Sequence, residues 1–405
     1  MSHRCTHVGI GMVVLLVMGL SVVSSPVPAA DPLIVGIPHS ESYTYATMMR
    51  QSFDMALTKI NKEGGINGRP LKLVYADDRG ERDAGEAAVR QLVSTGGAVM
   101  LVGAYQSSNT VYMGRVANAM KTPFLVCTAA DDRITQRKWR YVYRLNPPAS
   151  DYAKGLEDFL INRVKPRSMA IVYENSPYGT GGAMQMMWFC RENDIDIRAI
   201  IPYHKERAKT ERVGASYFQR LLAPLKESPP DVVYMVSYLA DGALLVKSLR
   251  KFGVTSLLCG GAGGFTHQRF IDKAGTDAEH LLTATLWSPR LPYQGAKDYY
   301  DQYRNAHGVA PDYHGAEAYS ALLVAADTLR RAASTRAEDI LAALDTTDMT
   351  TPFGPVSFND YGKFQRQNRV PTMVLQIMNG KFDSIWPEDL STAAFVAPPG
   401  WRKTQ

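Results

Sequence analysis

From Asp31 onward, short apolar runs of strand length alternate with longer stretches whose apolar residues recur at helical spacing. In the first part of the chain the apolar runs cover residues 33–37, 71–75, 98–102 and 123–127, and helical stretches cover 44–60 and 82–93. Repeated strand–helix units of this kind build a parallel sheet with helices on both faces. The alternation therefore predicts an α/β fold.

The alternation begins a second time after Asn146-Pro147-Pro148. Further strand-like runs lie at 169–173, 197–201, 232–236, 256–259 and 281–286, followed by helical stretches at 296–305, 314–333 and 337–344 and by strands at 355–358 and 372–378. A length of 405 residues also favours more than one domain. We expect two α/β lobes with a cleft between them, and ligands outside the carboxyl ends of the strands.

The first thirty residues have a different composition. Arg4 precedes an apolar stretch at 8–20, and small residues and prolines follow at 24–30. This order is typical of a cleavable secretory signal peptide, whereas a membrane-spanning helix, the alternative, would need a longer apolar run. We predict cleavage after Ala30 and export from the cytoplasm. There is no cysteine at the predicted cleavage site, so a lipid anchor is not indicated.

Charge and cysteine content exclude several classes of protein. The formal net charge of +6 is modest for this length, and the basic residues are scattered, which argues against nucleic-acid binding. The cysteines left after signal removal, Cys127, Cys190 and Cys259, form no C-x-x-C motif, which argues against a zinc site and a disulfide framework. We expect Cys127 and Cys259, which end apolar runs, to be buried.

No catalytic motif is present in the sequence. The glycine-rich stretch 260–264 lacks the G-x-G-x-x-G spacing, and there is no P-loop, no G-x-S-x-G elbow and no histidine pair at metal-ligand spacing. The adjacent acids at 77–78 and 131–132 are more typical of turns than of an acid/base pair. The sequence predicts a binding cleft without a cofactor, a metal or an enzymatic activity.

The polar stretch 103–110 is the first candidate ligand contact. It follows the strand at 98–102 and leads into a helix at 111–120, so it offers small hydroxyls, backbone N–H groups and the positive end of a helix dipole. Such a combination suits a carboxylate. The alternative is that Ser108 or Asn109 only caps the helix.

Tyrosines are the second candidate contact. They recur in the polar segments that follow the predicted strands, at Tyr43, Tyr45, Tyr105, Tyr178 and Tyr238. A phenol combines apolar surface with one hydrogen bond, so these side chains suit a small amphiphilic ligand. We expect about half of them to contact it.

Several segments resemble those of the type I periplasmic binding proteins, specifically the leucine/isoleucine/valine-binding branch that serves amino-acid ABC importers. The resemblance covers nearly all of residues 32–386. The matching segments are Ile60-Asn-Lys-Glu-Gly-Gly-Ile-Asn-Gly68, Asp77-Asp78, Val102-Gly-Ala-Tyr-Gln-Ser-Ser108, Thr128-Ala-Ala-Asp-Asp-Arg-Ile-Thr135, Tyr178-Gly179 and Phe353-Gly-Pro355.

The resemblance implies a Venus-flytrap architecture, in which two doubly wound parallel-sheet lobes are joined by three hinge crossings. Lobe 1 would comprise residues 31–146 and 284–354, and lobe 2 residues 147–283 and 355–388. Residues 389–405 would form a C-terminal tail. Closure would be a rigid-body motion about crossings near Asn146, Thr283 and Phe353.

The resemblance also implies roles for individual residues. Ser107 stands where the family places a serine on the ligand carboxylate, which leaves the capping role to Ser108 or Asn109. Further positions that match ligand contacts of the family are Ala129, through its backbone, Asp131, Tyr45 from the first lobe, Tyr178 and Tyr238 from the second lobe, and Tyr319. Tyr105 and Ser108 complete the set of residues that we expect around the ligand.

Two departures from the family pattern concern the ligand and the disulfide. Ala262 occupies the position at which the amino-acid binders hold the ligand ammonium with an acidic residue. Because a buried ammonium without a counter-charge is costly, either Asp131 takes over that role or the ligand has no amino group. The family's first-lobe disulfide is also absent, with Gly80 and Gln106 at those positions.

We therefore expect a monomeric periplasmic solute-binding protein that delivers a small carboxylate-bearing ligand, first of all an amino acid, to an ABC permease of the inner membrane. A non-amino aromatic acid, an amide or a urea-like solute is the alternative ligand. A ligand sensor that reports to a signalling partner is the alternative function. Contacts made to both lobes at once would favour the closed form.

Overall fold

The computed structural model describes residues 1–3, 31–208 and 211–401. The predicted signal peptide falls almost entirely on residues 4–30, which lie outside the described residues, so it stays a prediction. None of the helices in the described part of the chain combines the length and the hydropathy that a membrane span requires.

The strands of the described residues are numbered in chain order. They are Leu33–His39 (β1), Leu71–Asp77 (β2), Met100–Gly103 (β3), Phe124–Val126 (β4), Val142–Arg144 (β5), Ser168–Glu174 (β6), Asp196–Tyr203 (β7), Val232–Val236 (β8), Leu257–Gly260 (β9), Leu282–Thr285 (β10), Met349–Thr350 (β11), Pro355–Val356 (β12), Asn359–Tyr361 (β13), Phe364–Gln367 (β14), Met373–Met378 (β15) and Lys381–Trp386 (β16).

The helices are numbered in the same way, and short 3-10 and π turns join some of them. They are Thr44–Lys62 (α1), Arg82–Ser94 (α2), Ser107–Ala119 (α3), Arg133–Gln136 (α4), Lys154–Phe159 (α5), Pro177–Glu192 (α6), Glu211–Leu221 (α7), Ala223–Glu227 (α8), Leu239–Lys251 (α9), Gln268–Ala274 (α10), Ala296–His307 (α11), Tyr313–Arg331 (α12) and Ala337–Asp345 (α13).

Two seven-stranded sheets organise these elements into two lobes, as predicted. The first sheet has the order β2-β1-β3-β4-β5-β14-β13, and the second has the order β7-β6-β8-β9-β10-β15-β16. The first five strands of each sheet are parallel to one another, with the order 2-1-3-4-5 of a doubly wound fold. The two lobes therefore repeat one architecture.

Continuous apolar strands fix the interior of each sheet. All five side chains of β8 (Val-Val-Tyr-Met-Val) are buried. All four residues of β3 and all four residues of β9 are also buried. Because helices cover both faces of a parallel sheet, its central strands need apolar side chains on both sides. The three cysteines 127, 190 and 259 are free and buried, which confirms the predicted burial of Cys127 and Cys259.

Helix α12 connects the C-terminal part of the chain to the first lobe. It lies along α1, and the neighbouring α11 is tied to α1 by a hydrogen bond between the hydroxyls of Tyr299 and Ser52 (2.8 Å). The N-terminus of α12 consequently reaches the carboxyl edge of the first sheet, where its first residues face the second lobe.

The last crossing between the lobes lies later than the resemblance implied. The boundary at 354/355 assigned residues 355–388 to the second lobe, but β13 and β14 form an antiparallel hairpin whose second strand pairs with β5 in the first sheet. Gln367 anchors this hairpin, because its amide nitrogen donates to the carbonyl of Asn146 (2.8 Å) and its carbonyl accepts from Arg144 (2.6 Å). The chain enters the second sheet only with β15.

The C-terminal segment packs on the second lobe. The side-chain amide of Gln376 in β15 exchanges two hydrogen bonds with the backbone of Val396, and the indole of Trp401 donates to the carbonyl of Asp231 (2.8 Å). Residues up to 401 are therefore part of this lobe, whereas we had expected a separate tail from residue 389.

Candidate functional site

The candidate site lies where the strand order of each sheet reverses. In the first sheet the order reverses between β1 and β3, and in the second between β6 and β8. At such a point the helices that follow the two strands leave on opposite faces, which opens a crevice at the carboxyl edge. Tyr45 and Ser107 follow β1 and β3, whereas Tyr178 and Tyr238 follow β6 and β8. Four of the predicted residues therefore line two opposed crevices.

Ser107 is the first residue of α3 and has only 4% of its surface exposed. Its oxygen accepts hydrogen bonds from the backbone N–H groups of Ala130 (2.9 Å) and Asp131 (3.2 Å). Since both lone pairs are engaged, the hydroxyl hydrogen is left to donate to an acceptor in the cleft. The N–H groups in the first turn of α3 have no carbonyl partner within the helix, so a carboxylate beside Ser107 would meet several donors.

Neither Ser108 nor Asn109 caps helix α3, contrary to the prediction. Gln106 is the N-cap residue, and it makes no side-chain capping hydrogen bond. Asn109 instead packs against Gly85 of α2, where a Cβ atom would lie 2.3 Å from its carbonyl oxygen. Ser108 is only partly buried. Because the helix begins at Ser107, Ser108 and Asn109 already lie inside its first turn.

Aromatic rings form the wall of the site. A cavity of about 20 Å³ lies at the meeting point of the two crevices. It is lined by Tyr105, Ser107, Thr128, Ala130, Tyr152, Tyr178, Tyr238, Gly263, Tyr313 and His314. Its size corresponds to about one water molecule, so the lobes are closed onto each other. A second, wider space of about 390 Å³ lies outside it and is lined by Tyr43, Tyr45, Tyr105 and Tyr238 among others.

Hydrogen bonds of Gly263 and of its neighbour Thr266 join the two lobes. The phenol of Tyr45 donates to the carbonyl oxygen of Gly263 (3.0 Å), and the N–H of Gly263 donates to the phenol oxygen of Tyr313 (3.1 Å). Next to this glycine, the hydroxyl of Thr266 donates to the carboxylate of Asp312 (3.2 Å). Three hydrogen bonds thus connect the loop after β9 to α1 and to the start of α12.

A buried, hydrogen-bonded pair of side chains holds the start of α12. Asp312 caps the helix by accepting from the N–H of His314 (3.0 Å), and its carboxylate lies 3.1 Å from Nδ1 of the same residue. Burial alone would raise the pKa of the Asp312 carboxyl, but the His314 ring and the capping bond lower the pKa below its usual value. The His314 ring is stacked between those of Tyr45 and Tyr313, with centroid distances of 3.9 and 4.0 Å.

The phenols of the site are neutral hydrogen-bonding groups. Burial raises the pKa of Tyr45, Tyr105, Tyr178, Tyr238 and Tyr313 well above the usual value. They can therefore donate to, or accept from, a ligand at any physiological pH. No phenolate contributes charge to the cleft.

Asp131 does not face the cavity in the way that an amine anchor would require. Its carboxylate forms a bidentate ion pair with Arg133 (2.6 and 3.1 Å), and the side chain borders a groove on the rim between the lobes. The N–H of Arg133 also donates to Asp131 (2.9 Å). This geometry does not support a role in binding the ligand ammonium, because the carboxylate already has its cation.

The remaining predicted residues differ in their placement. The backbone N–H of Ala129 donates to the carbonyl of Ala104 (3.1 Å), so its amide is engaged within the first lobe. Ala262 is fully buried, has a positive φ of 60° and immediately precedes Gly263. Tyr319 lies outside the cleft: its ring packs on Tyr299 (4.8 Å) and borders an outer groove beside α1. Its position two turns along α12 carries it away from the carboxyl edge.

Sequence reasoning missed Tyr152, Tyr313 and His314. Tyr313 and His314 open helix α12 directly after the capping residue Asp312, so an aromatic pair at a predicted helix start was the available signal. Tyr152 follows the first crossing, and its phenol accepts from the side-chain amide of Asn146 (2.7 Å). No local pattern in the sequence marks that position.

Comparisons with known proteins agree with the two-lobed fold. The profile of a family described as "Periplasmic binding protein" matches residues 38–381. A "Leu/Ile/Val-binding protein homolog 7" from Brucella suis biovar 1 (strain 1330) is 25% identical over 366 residues, which cover 86% of this chain and 89% of the relative.

Two solved structures are similar in fold. One is the branched-chain amino acid transporter substrate binding protein LivJ from Streptococcus pneumoniae in complex with isoleucine, with a TM-score of 0.76, 20% identity, and coverage of 88% of this chain and 100% of that chain. The other is an ABC transporter solute binding protein from R. palustris in complex with benzoate, with a TM-score of 0.75, 16% identity, and coverage of 87% and 95%.

Proposed function

Because the chain belongs to the periplasmic binding protein family, we propose that it is the solute-binding component of an ABC importer and captures a small carboxylate-bearing ligand between its two lobes. An amino acid is the first candidate for this ligand. The names of the relatives support it, since they include Leu/Ile/Val-binding proteins and a structure with bound isoleucine.

The position of Ser107 is the observation that carries the proposal. Its hydroxyl stands at the positive end of a thirteen-residue helix, beside a cavity whose other walls are aromatic rings from both lobes. Hydroxyl and N–H donors in such a place fit an anionic group, and the rings fit an apolar remainder. A ligand held in this way contacts both lobes, and so it stabilises the closed form.

The proposed location and partners follow from the family. A periplasmic binding protein works outside the cytoplasm and passes its ligand to a membrane permease, and the basic, apolar and small-residue order of residues 1–30 supports export through a cleaved signal peptide. We propose that the protein acts as a monomer, and we assign no catalytic activity to the cleft.

A thermal-shift screen of the mature protein with amino acids, aromatic acids and amides tests the proposal. A ligand at about a hundred times its dissociation constant adds roughly 2.7 kcal/mol to the free energy of unfolding, which raises the melting temperature measurably. If neither the amino acids nor the aromatic acids raised the melting temperature, the proposed binding of a carboxylate-bearing ligand would be wrong.

The variant Ser107→Ala tests the anchor itself. A hydrogen bond to a charged group contributes about 1.5–3 kcal/mol, so the dissociation constant measured by calorimetry should rise on the order of tenfold to a hundredfold. Ser248→Ala is the matched control, because that buried hydroxyl donates to a carbonyl within α9 (2.8 Å), away from the cleft. Unchanged affinity in a folded Ser107→Ala protein would remove the anchor.

A non-amino aromatic acid is the second candidate ligand. Tyr105, Tyr152, Tyr178, Tyr238 and Tyr313 surround the cavity, and the structurally similar protein from R. palustris holds benzoate. Position 262 carries no acid. If an aromatic acid is the ligand, benzoate and 3-phenylpropanoate should raise the melting temperature in the screen more than any amino acid does.

A further inference from the structure

Glu317 is a buried carboxyl group without a partner. It lies on α12, is fully buried, and neither of its oxygens has a hydrogen-bond donor of the described residues within reach. The other buried acids near the cleft are satisfied: Glu174 accepts from Ser176 and Gly179, and Asp241 accepts from the backbone of Tyr238 and from Tyr203. Leaving a buried carboxyl unpaired is costly, so Glu317 needs an explanation.

Glu317 lies near residues that line the cavity. It stands one turn after Tyr313 on the same helix face. Its charge acts on Tyr313, on Tyr152 and on Cys127, the residue before Thr128. Tyr313, Tyr152 and Thr128 all line the cavity.

The charge around Glu317 is negative or neutral. Asp312, itself paired with His314, is the one charged group of the described residues that acts on it, and the phenols of Tyr152 and Tyr313 stay protonated. No lysine or arginine of the described residues compensates for the carboxylate. If Glu317 is ionised, its counter-charge therefore has to come from outside the chain.

A second acceptor lies in the same region. The amide nitrogen of Asn146 donates to the carbonyl of Thr128 (2.8 Å) and to the phenol of Tyr152 (2.7 Å), but its carbonyl oxygen is buried without a donor. Three buried acceptor oxygens, two on Glu317 and one on Asn146, are therefore unused near the residues that line the cavity. A protonated amine, which has several N–H donors and a positive charge, complements this set.

We infer that Glu317 is the counter-charge for a protonated amine of the bound solute, which enters between the rings of Tyr152 and Tyr313 while Ser107 holds the carboxylate. The inference rests on the proposed function and restricts it to amino acids. The ring centroids of Tyr152 and Tyr313 are 6.3 Å apart, and the closed cavity has space for only about one water molecule, so these rings have to separate when the solute binds.

Binding of the amine has to ionise Glu317. Burial raises the pKa of this carboxyl well above its usual value, so the ligand-free protein holds it as a neutral acid. When the ammonium arrives, the O–H bond of the carboxyl breaks, the proton leaves to solvent, and a carboxylate–ammonium pair remains. The charge balances, because one positive charge enters the site and one leaves it.

Paired probes test the inference. L-leucine and 4-methylpentanoate, like L-phenylalanine and 3-phenylpropanoate, differ only in the amine. Calorimetry on the mature protein should give tighter binding of the amino acid in at least one pair, with release of about one proton per ligand, measured as the difference in heat between phosphate and Tris buffers. Glu317→Gln should weaken binding of the amino acid on the order of a hundredfold, abolish proton release and leave binding of the deamino acid nearly unchanged.

Two further variants distinguish the possible anchors. Glu157→Gln neutralises another buried acid, which is paired with Lys154 outside the cleft, and should affect neither probe. Asp131→Asn should also leave the ratio of the two affinities unchanged. A loss of amino-acid binding in Asp131→Asn, or an unchanged ratio and continued proton release with Glu317→Gln, would overturn the inference.

The wild-type protein separates failure of the inference from failure of the proposed function. If it binds the deamino acids as tightly as the amino acids and releases no proton, the carboxylate-binding function stands and the role of Glu317 is refuted. If it binds neither member of either pair nor any solute of the thermal-shift screen, the proposed function fails and the inference fails with it.

Discussion

At the scale of single residues, Gly263 is the most constrained position of the site. Both of its backbone groups bond to phenols of the opposite lobe, its φ is +53°, and a Cβ atom there would lie 1.9 Å from the hydroxyl oxygen of Tyr178. Only glycine satisfies the backbone conformation and the close approach together.

The variant Gly263→Ala should therefore impair both stability and binding. The left-handed backbone costs about 1–2 kcal/mol for a residue with a Cβ atom, and the contact with Tyr178 adds to this cost. Moving the loop also separates the lobes, so ligand affinity should fall more than tenfold. Urea denaturation and calorimetry measure the two effects.

Gly308→Ala is the matched control for this substitution. Gly308 has a left-handed backbone with a φ of +71°, but its added Cβ atom would meet nothing within 4 Å. It should lose about 1 kcal/mol of stability and no affinity. Equal effects of the two variants on binding would show that the phenol contacts of Gly263 do not hold the lobes together.

The sequence predicts the location of residues that directly follow a strand better than the location of residues that depend on a side-chain partner. Ser107, Tyr45, Tyr178 and Tyr238 come to the cleft because the carboxyl ends of parallel strands meet at one edge. The ion pair between Asp131 and Arg133 depends on side-chain rotamers in a turn, which no local pattern defines. Glu317 lies between two alanines in the first half of α12, and no sequence motif marks it.

At the scale of secondary-structure elements, the start of α12 depends on its capping residue. Asp312 caps the helix, pairs with His314 and accepts from Thr266 of the other lobe. Asp312→Ala removes all three interactions and leaves buried donors unpaired, so the free energy of unfolding should fall by about 2–4 kcal/mol.

Asp312→Asn is the conservative comparison. Asparagine is an equally good N-cap residue, and its carbonyl oxygen can accept from the N–H of His314. Loss of the negative charge should then cost only part of what alanine costs, as measured by urea denaturation. If both variants were as stable as the wild-type protein, neither the cap nor the contact with the His314 ring would stabilise α12.

The elements show the same limit of prediction as the residues. The strand runs and helical stretches predicted from periodicity all occur, and the doubly wound lobes follow from their alternation. The hairpin of β13 and β14 was assigned to the wrong lobe. An antiparallel edge hairpin with polar side chains has no sequence feature that indicates which of the two sheets it joins. Only the bonds of Gln367 to Arg144 and Asn146 fix its position.

At the scale of the whole molecule, stability should decrease on mild acidification because of His267. This residue faces Tyr45 of the other lobe (5.5 Å between ring centroids), and burial lowers the pKa of its imidazole below the usual 6.5. Asp312 opposes this shift, whereas His314 and Arg269 add to it.

The direction of the effect follows from proton binding. Because the folded protein binds this proton less tightly than the unfolded chain, the contribution of His267 is fully present above pH 6.5 and is lost as the pH falls below it. His267→Asn keeps an acceptor for the N–H of Arg269 at the start of α10 but does not titrate. The difference in unfolding free energy between the two proteins, measured without ligand from pH 8 to 5, should shift in favour of the variant at low pH. A constant difference would contradict this assignment.

The balance between open and closed forms is the property on which transport depends, and Tyr45 should control it. The bond from its phenol to the carbonyl of Gly263 joins the two lobes, so it stabilises the closed form in addition to the contacts of the solute. Removing that hydroxyl in Tyr45→Phe costs the closed form about 1 kcal/mol, which corresponds to a roughly fivefold shift toward the open form. Small-angle X-ray scattering should show a larger radius of gyration for the ligand-free variant than for the wild-type protein.

Saturating ligand should remove this difference, because contacts to both lobes outweigh one hydrogen bond. Tyr299→Phe is the matched control: its buried phenol is bonded to Ser52 within the first lobe, so its loss should lower stability without changing the radius of gyration. If Tyr45→Phe and Tyr299→Phe scattered alike in the absence of ligand, the bond to Gly263 would have no influence on closure. The affinity would then depend on the ligand contacts alone.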